Sequence, residues 1–278
     1  MEINLGDEEI INLQTPFTTE QLEDKVLAKR MDAFGQMAKF IQRPKLEDIE
    51  ITARQKRLEP FWYAVASARY AYERRHSYEV NVAPEVQSVT VYGNAHPVPA
   101  ARARAFSLEG VESCLEEFRQ ELTLDAIRGN DVKMDKYLSF PQAIVPDATT
   151  LGQNGTLVIA PEVRSSFVVR KLIASLMKTF QADRILEEKI NVEKVALCYR
   201  PVFAVEYLWK AKDKRQVLEF DGLTGDAKAE SGEIKKHVVR VLENDALFDI
   251  GADVVGTFFP GVNVAVKVGR FAARKAIK

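Results

Sequence analysis

The sequence predicts an α+β fold. Two pseudo-repeated lobes each run strand–helix–strand–hairpin–helix with a mainly antiparallel sheet, and an apolar helical segment follows at the C-terminus. Three observations support this. First, the chain echoes itself. Met37, Phe40, Leu46 and Glu47 recur as Met177, Phe180, Leu186 and Glu187 at a constant spacing of 140 residues, with Asp48 answered by Glu188. Pro60-Phe61-Trp62-Tyr63-Ala64-Val65 is echoed by Pro201-Val202-Phe203-Ala204-Val205 at a spacing of 141. A fixed-period echo sets the number of folding units before any local motif does. Second, an apolar stripe at three-to-four spacing, the signature of an amphipathic helix, stands early in each half. Third, the order of elements repeats. The chain divides into a first lobe (1–132), a linker (133–155), a second lobe (156–245) and a C-terminal apolar-basic segment (246–278). The pattern is compatible with two separate sheets and with one shared pseudo-symmetric sheet.

In the first lobe, Ile10 to Pro16 is a short extended segment. Thr18-Thr19-Glu20-Gln21 starts a helix, with a hydroxyl capping free N–H groups and an acid in the first turn. Val26, Leu27, Met31, Phe34, Met37, Phe40 and Ile41 continue its stripe until Arg43-Pro44 stops it. Leu46 to Ile51 is a strand. Phe61 to Val82 reads as a hairpin around the polar cluster Glu73-Arg74-Arg75-His76-Ser77. Val86 to Tyr92 alternates as a strand. Leu108, Val111, Leu115, Phe118, Leu122 and Ile127 predict a second helix, ended by Arg128-Gly129-Asn130.

Lys133 to Gly155, rich in proline and glycine, reads as the linker. The pattern then restarts with a strand at Thr156–Ala160 and a helix from Ser165 or Ser166 through Phe180. Strands follow at Ile190–Leu197, Val202–Leu208 and Val217–Phe220, and a helix at Glu233–Ile250. Helix-then-strand order places the chain in the α+β class.

Composition narrows the function classes. Lys plus Arg is 39 and Asp plus Glu is 40, for a net charge of −1. Binding to nucleic acid or an anionic surface therefore needs a local patch. Cys114 and Cys198 have no CxxC partner and read as reduced thiols. The N-terminus, Met1-Glu2-Ile3-Asn4-Leu5-Gly6-Asp7, lacks a basic start and apolar core, so no secretory signal is expected and the cytoplasm is the expected location.

Catalytic constellations are not legible. His76, His96 and His237 have no metal-ligand spacing, and no HExxH, GxSxG, P-loop or GxGxxG motif occurs. Neither a catalytic residue nor a metal ligand nor a cofactor is assigned. Cys198, among Val195, Ala196 and Leu197, reads as a buried structural thiol. Arg69, Arg74, Arg75, Arg102 and Arg104, interleaved with Tyr70, Tyr72 and Tyr78, form a candidate basic patch of the kind that holds single-stranded nucleic acid. From Ala246 to Gly269 the chain is apolar, interrupted by Asp249, Asp253, Lys267 and Pro260-Gly261. With the basic tail it offers Phe258, Phe259, Arg270, Phe271, Arg274 and Lys275 as candidate contacts to a partner or a membrane surface.

Val205-Glu206-Tyr207-Leu208-Trp209 and Val217-Leu218-Glu219-Phe220-Asp221-Gly222-Leu223-Thr224-Gly225-Asp226 resemble the hairpin of PepSY-type modules, whose second strand ends in a D-x-x-T-G turn. The resemblance spans Pro201 to Asp226. It implies a small non-enzymatic binding or regulatory module and carries no catalytic residue. Tyr78-Glu79-Val80-Asn81-Val82, read as the first lobe's counterpart, lacks the Asp-Gly and Thr-Gly pairs.

The expected function is a non-enzymatic binding or scaffold protein whose C-terminal segment engages a protein partner, a second copy or a membrane surface. The alternatives are an enzyme with an interlobe site and a nucleic-acid binder using the Arg/Tyr hairpin.

Overall fold

The computed structural model describes residues 1–35, 45–99, 105–230 and 265–268. Two long strands dominate it. β2 (Ile49–Asn81) and β8 (Arg184–Trp209) pair antiparallel from Ile49–Trp209 to Glu73–Arg184. β1 (Glu2–Leu13) lies parallel to the first half of β8 on its outer edge, and β9 (Lys214–Asp221) lies antiparallel to the second half. The outer edge of β2 is arranged alike. The two-residue β7 (Leu157–Val158) runs parallel to it at Arg57 and Leu58, and β5 (Ala105–Asp125) pairs antiparallel from Phe61 to Asn81. β6 (Gln142–Val145), β10 (Ala227–Glu230) and β11 (Ala265–Val268) extend the edges, completing a nine-stranded mixed sheet. β3 (Ser88–Val91) and β4 (Asn94–Pro97) form a separate hairpin.

The helices α1 (Thr19–Ala28) and α2 (Ser165–Leu176) lie over one face. Alternation decides which face. Leu58, Trp62, Ala64 and Tyr70 pack with Val168, Leu172 and Leu176 of α2, alongside Leu197 and Tyr199 of β8. Continuing along β8 in steps of two, Val205, Tyr207 and Trp209 pack with Val26 of α1. Two tyrosines tie the helices down: Tyr70 donates to the Leu176 carbonyl at 3.0 Å and Tyr207 to that of Val26 at 2.8 Å. Each bond satisfies a carbonyl near a helix end that the helix itself leaves unpaired. On the opposite face a smaller cluster gathers Ile11, Leu13, Phe61, Cys198 and Tyr137.

This architecture overturns the predicted fold class. The chain is mostly β, with one mixed sheet in place of two α+β lobes, each with its own helices. Leu108–Ile127 is strand β5, not a helix. Its apolar spacing of four fits both periods, because four is an even number on a strand. Val111 and Leu115 then share one face while Leu108, Phe118 and Leu122 share the other, and pairing with β2 along all 21 residues overrides local propensity. Phe61–Val82 is one continuous strand, not a hairpin. Its polar cluster does not turn, because Arg74 meets Glu112 of β5 and the strand simply runs past the end of β8. Within residues 133–155, read from the sequence as the linker, β6 pairs with β1 and Tyr137 enters the sheet's second face. In the expected C-terminal helical segment the described residues are Ala265–Val268, a strand parallel to β1. The end of the first helix beyond Gly35 and the helix expected at Glu233–Ile250 lie outside the described residues.

The single sheet has an approximate two-fold relation centred on the pair Glu59–Arg200. Leu58 pairs with Pro201 and Pro60 with Tyr199; Arg57 pairs with Val202 and Phe61 with Cys198. Two of the three irregularities obey the same relation: the ladder skips Thr52 on β2 and Glu193 on β8. The flanking strands obey it too, Ile11 meeting Cys198 as Leu157 meets Arg57. At the hairpin ends, Asp125 Oδ1 accepts from the N–H groups of Ile127 and Arg128 at 2.7 and 2.9 Å, and Asp221 Oδ1 accepts from Leu223 and Thr224 at 2.9 and 3.0 Å. Gly129 and Gly225 close these turns at φ of 74° and 75°, a region glycine enters without a Cβ penalty. The counterpart of the Asp221–Asp226 turn is therefore Asp125–Asn130, not the Tyr78–Val82 stretch.

Candidate functional site

The two-fold relation exposes one difference between the halves that matters for function. Helix α2 shields its part of the sheet from solvent. Trp62, Leu124, Val168, Val169, Leu172 and Leu197 are each fully shielded from solvent. The Trp62 indole fills the centre, and its Nε1–H donates to the Val163 carbonyl at 2.8 Å.

Under α1 the same space is open. A cavity of about 400 Å³ lies between α1 and the strands β2, β8 and β9. This is a common size for a small-molecule site. Phe203 stands where Trp62 stands in the other half, and Phe220 where Leu124 stands. Leu22 and Val26 of α1 form the wall and Phe17 closes one end. The floor is apolar: Val205 and Phe220 are buried.

The rim is polar where its counterpart is apolar. Arg54 and Lys56 occupy the places of Val195 and Leu197, and Glu23 that of Val169. The cause is visible in the sheet. β1 flanks β8 along Val195 and Leu197, so those residues are enclosed. β7 pairs with β2 only at Arg57 and Leu58, so Arg54 and Lys56 stand exposed. Arg54 Nη2 reaches Glu23 Oε2 at 3.1 Å and spans the mouth from strand to helix. The Lys56 ammonium lies 5.9 Å from the Phe203 ring centroid, and among the described residues no carboxylate pairs with it.

The α1 end of the mouth is held by sequence-local bonds. Thr18 Oγ1 accepts from the Gln21 N–H at 3.2 Å, and Gln21 Oε1 accepts from the Thr18 N–H at 2.9 Å. This reciprocal cap fixes where the helix begins. Thr15 Oγ1 donates to the Gly222 carbonyl at 2.6 Å, anchoring the segment that leads into it.

Behind the cavity, on the other sheet face, runs a chain of charges. Arg57, 4 % exposed, contacts Glu59 at 2.6 Å and Glu219 at 2.5 Å. Arg200 contacts Glu59 at 2.5 Å and Asp221 at 2.9 Å, and the Tyr137 hydroxyl donates to Asp221. Burial opposes the charge on Arg57, but Glu59 and Glu219 outweigh it and hold the guanidinium above its usual range. Burial likewise opposes ionisation of Asp221. The Tyr137 hydroxyl, two backbone N–H groups and Arg200 outweigh it and place the carboxyl below its ordinary value. Every charge here has an opposite partner, so the network holds the two halves together rather than offering a reactive group.

The residues singled out from sequence fall elsewhere. Arg69 bridges Glu117 at 2.5 Å and Glu187 at 3.1 Å, and Arg74 meets Glu112 at 2.5 Å. Arg75 donates its backbone N–H to Asp183, while Arg102 and Arg104 lie outside the described residues. Tyr70 and Tyr72 are buried against Phe180, and Tyr78 is exposed. Arg69 and Arg74 are thus neutralised by cross-strand acids, and two of the three tyrosines are not surface platforms. Phe258, Phe259, Arg270, Phe271, Arg274 and Lys275, like His237, lie outside the described residues. His76 meets Tyr78 edge-on and His96 lies tilted against Phe106. Burial pushes the Cys198 thiol up to about 12. Among the described residues no group of three or more His, Cys, Asp or Glu is placed to hold a metal, and no helix is long and apolar enough to cross a membrane.

No family model, curated protein or solved structure matches this chain. Sequence reasoning missed the cavity because Glu23, Arg54 and Phe203 come from three distant segments. The signal that could have found it is the echo, since Trp62 aligned with Phe203 marks a large-to-smaller change inside a repeated core.

Proposed function

We propose that the protein is a non-enzymatic binding protein that takes a small, largely apolar ligand between α1 and the sheet. The observation that carries this is the contrast between the halves, one plugged by Trp62 and the other open over an apolar floor. An apolar ligand laid on this floor takes apolar surface of both partners out of water, which favours binding. The wall groups do not favour catalysis, since the one carboxylate at the mouth, Glu23, is tied to Arg54. Two cysteines without a disulfide fit an intracellular, reducing setting, and this reading keeps the protein in the cytoplasm.

The test uses N-phenyl-1-naphthylamine, a neutral dye that brightens in apolar surroundings. Saturable binding at one site is expected, and Leu22→Trp, which fills the cavity from the helix side, should abolish it without lowering the melting temperature. Absence of saturable binding, or binding that survives Leu22→Trp in the folded variant, overturns the reading.

A further inference from the structure

The rim of the cavity narrows its ligand to one chemical class. We infer that the site under α1 binds an amphipathic carboxylic acid, its apolar tail on the floor and its carboxylate against Lys56; this rests on the α1 cavity being the binding site.

The argument is one of charge and placement. The floor made by Phe203, Val205 and Phe220 with Leu22 and Val26 offers a tail contact area but no hydrogen-bonding group on its side chains. The charged groups of the lining stand at the mouth and number three. Arg54 and Glu23 neutralise each other at 3.1 Å. Lys56 remains, with no carboxylate partner among the described residues, its ammonium held over the Phe203 ring. The mouth therefore carries one uncompensated positive charge directly above an apolar floor. That charge balance suits a monoanion: a neutral ligand leaves the ammonium unused, and a dianion such as a phosphate monoester leaves a negative charge unpaired next to Glu23. Removing water from the mouth strengthens the remaining pair, as for any charge contact that leaves solvent.

The residue in the place of Lys56 in the other half is Leu197, which is fully buried beside β1. Lys56 has no such strand beside it and stands exposed at the mouth. The exposed edge leaves its ammonium within reach of a ligand that lies on the floor.

The experiment titrates the full chain with cis-parinaric acid, a fluorescent fatty acid, and with its methyl ester, which keeps the tail and loses the charge. The acid should bind about tenfold tighter than the ester. Lys56→Glu should weaken the acid about tenfold and leave the ester within about twofold, Lys56→Arg should retain acid binding, and Leu22→Trp should abolish both. Equal affinities for acid and ester, or an acid affinity insensitive to Lys56→Glu, overturn the ligand class while ester binding lost in Leu22→Trp keeps the site. If neither the two lipids nor the neutral dye binds, the site itself falls and the ligand class with it.

Discussion

Glu59 and Arg200 sit opposite each other at the centre of the β2–β8 ladder, joined by a 2.5 Å contact between Arg200 Nη2 and Glu59 Oε2. Each is the other's counterpart under the two-fold relation, so the point where the halves meet is occupied by opposite charges. From this pair the network extends to Arg57 and Glu219 on one side and to Asp221 and Tyr137 on the other.

Removing one member of that network should be costly. In Arg57→Ala the carboxylates of Glu59 and Glu219 lose a guanidinium that is almost fully buried, and a loss of about 3 kcal/mol is expected. A triple variant, Arg57→Met with Glu59→Gln and Glu219→Gln, should recover most of it, because no unpaired charge then remains buried. Urea unfolding at neutral pH measures both.

The acid limb of stability should depend on Asp221. Its folded carboxyl lies below the ordinary value of 3.8, so it contributes stability above that pH which is lost as pH falls further. Asp221→Asn should be less stable than the parent at neutral pH and flatter with pH below about 4. A urea midpoint that changes with pH identically in both proteins would remove Asp221 from this role.

The alkaline limb should depend on Tyr137. Burial and then the Asp221 carboxylate raise its hydroxyl from 10.0 to about 12. Its contribution is complete below pH 10 and disappears as pH rises through about 12. Tyr137→Phe should flatten the unfolding midpoint across that window, read by circular dichroism.

Trp62→Ala should create under α2 the opening that α1 already has. Loss of the indole and of its bond to Val163 is expected to cost about 4 kcal/mol. If the protein stays folded, the stoichiometry of N-phenyl-1-naphthylamine should rise from one to two. A single site with unchanged affinity would show that the two helix–sheet junctions are not equivalent cavities.

Gly129→Ala and Gly225→Ala should each destabilise by about 1 kcal/mol or more, since both turns hold their glycine in the left-handed region. Thermal unfolding should show the larger loss at Gly225, where the added Cβ would also meet Lys25 Cε and Nζ at 2.8 Å and Phe17 at 3.1 Å, against nearest contacts of 3.4 Å at Gly129.

Much local structure was legible in the sequence, and the reasons are local. Thr18 and Gln21 announced their cap because both partners lie within one turn. The hairpin β8–β9 was legible from alternation on either side of the polar run Lys210–Arg215. β5 was not, because Val111, Leu115, Phe118 and Leu122 satisfy helix and strand periods together, and only the neighbouring β2 decides between them. The class failed for the same reason: alternation does not say which strand pairs with which, and β1 and β7 each pair with a strand of the other half. The cavity was legible only as one mismatch within the echo, Trp62 against Phe203; the equivalence of Glu23 and Val169 falls outside the echo's spacing and shows only in the paired helices.

β1 finds its main partner at residues 189–199. During synthesis, then, the first strand leaves the ribosome long before anything exists for it to pair with. Ile3, Leu5, Ile10 and Ile11, all buried at the end, must wait through the making of most of the chain with their apolar faces uncovered. The protein should therefore fold late and all at once, with a nascent N-terminus that needs sheltering, rather than half by half as each is completed.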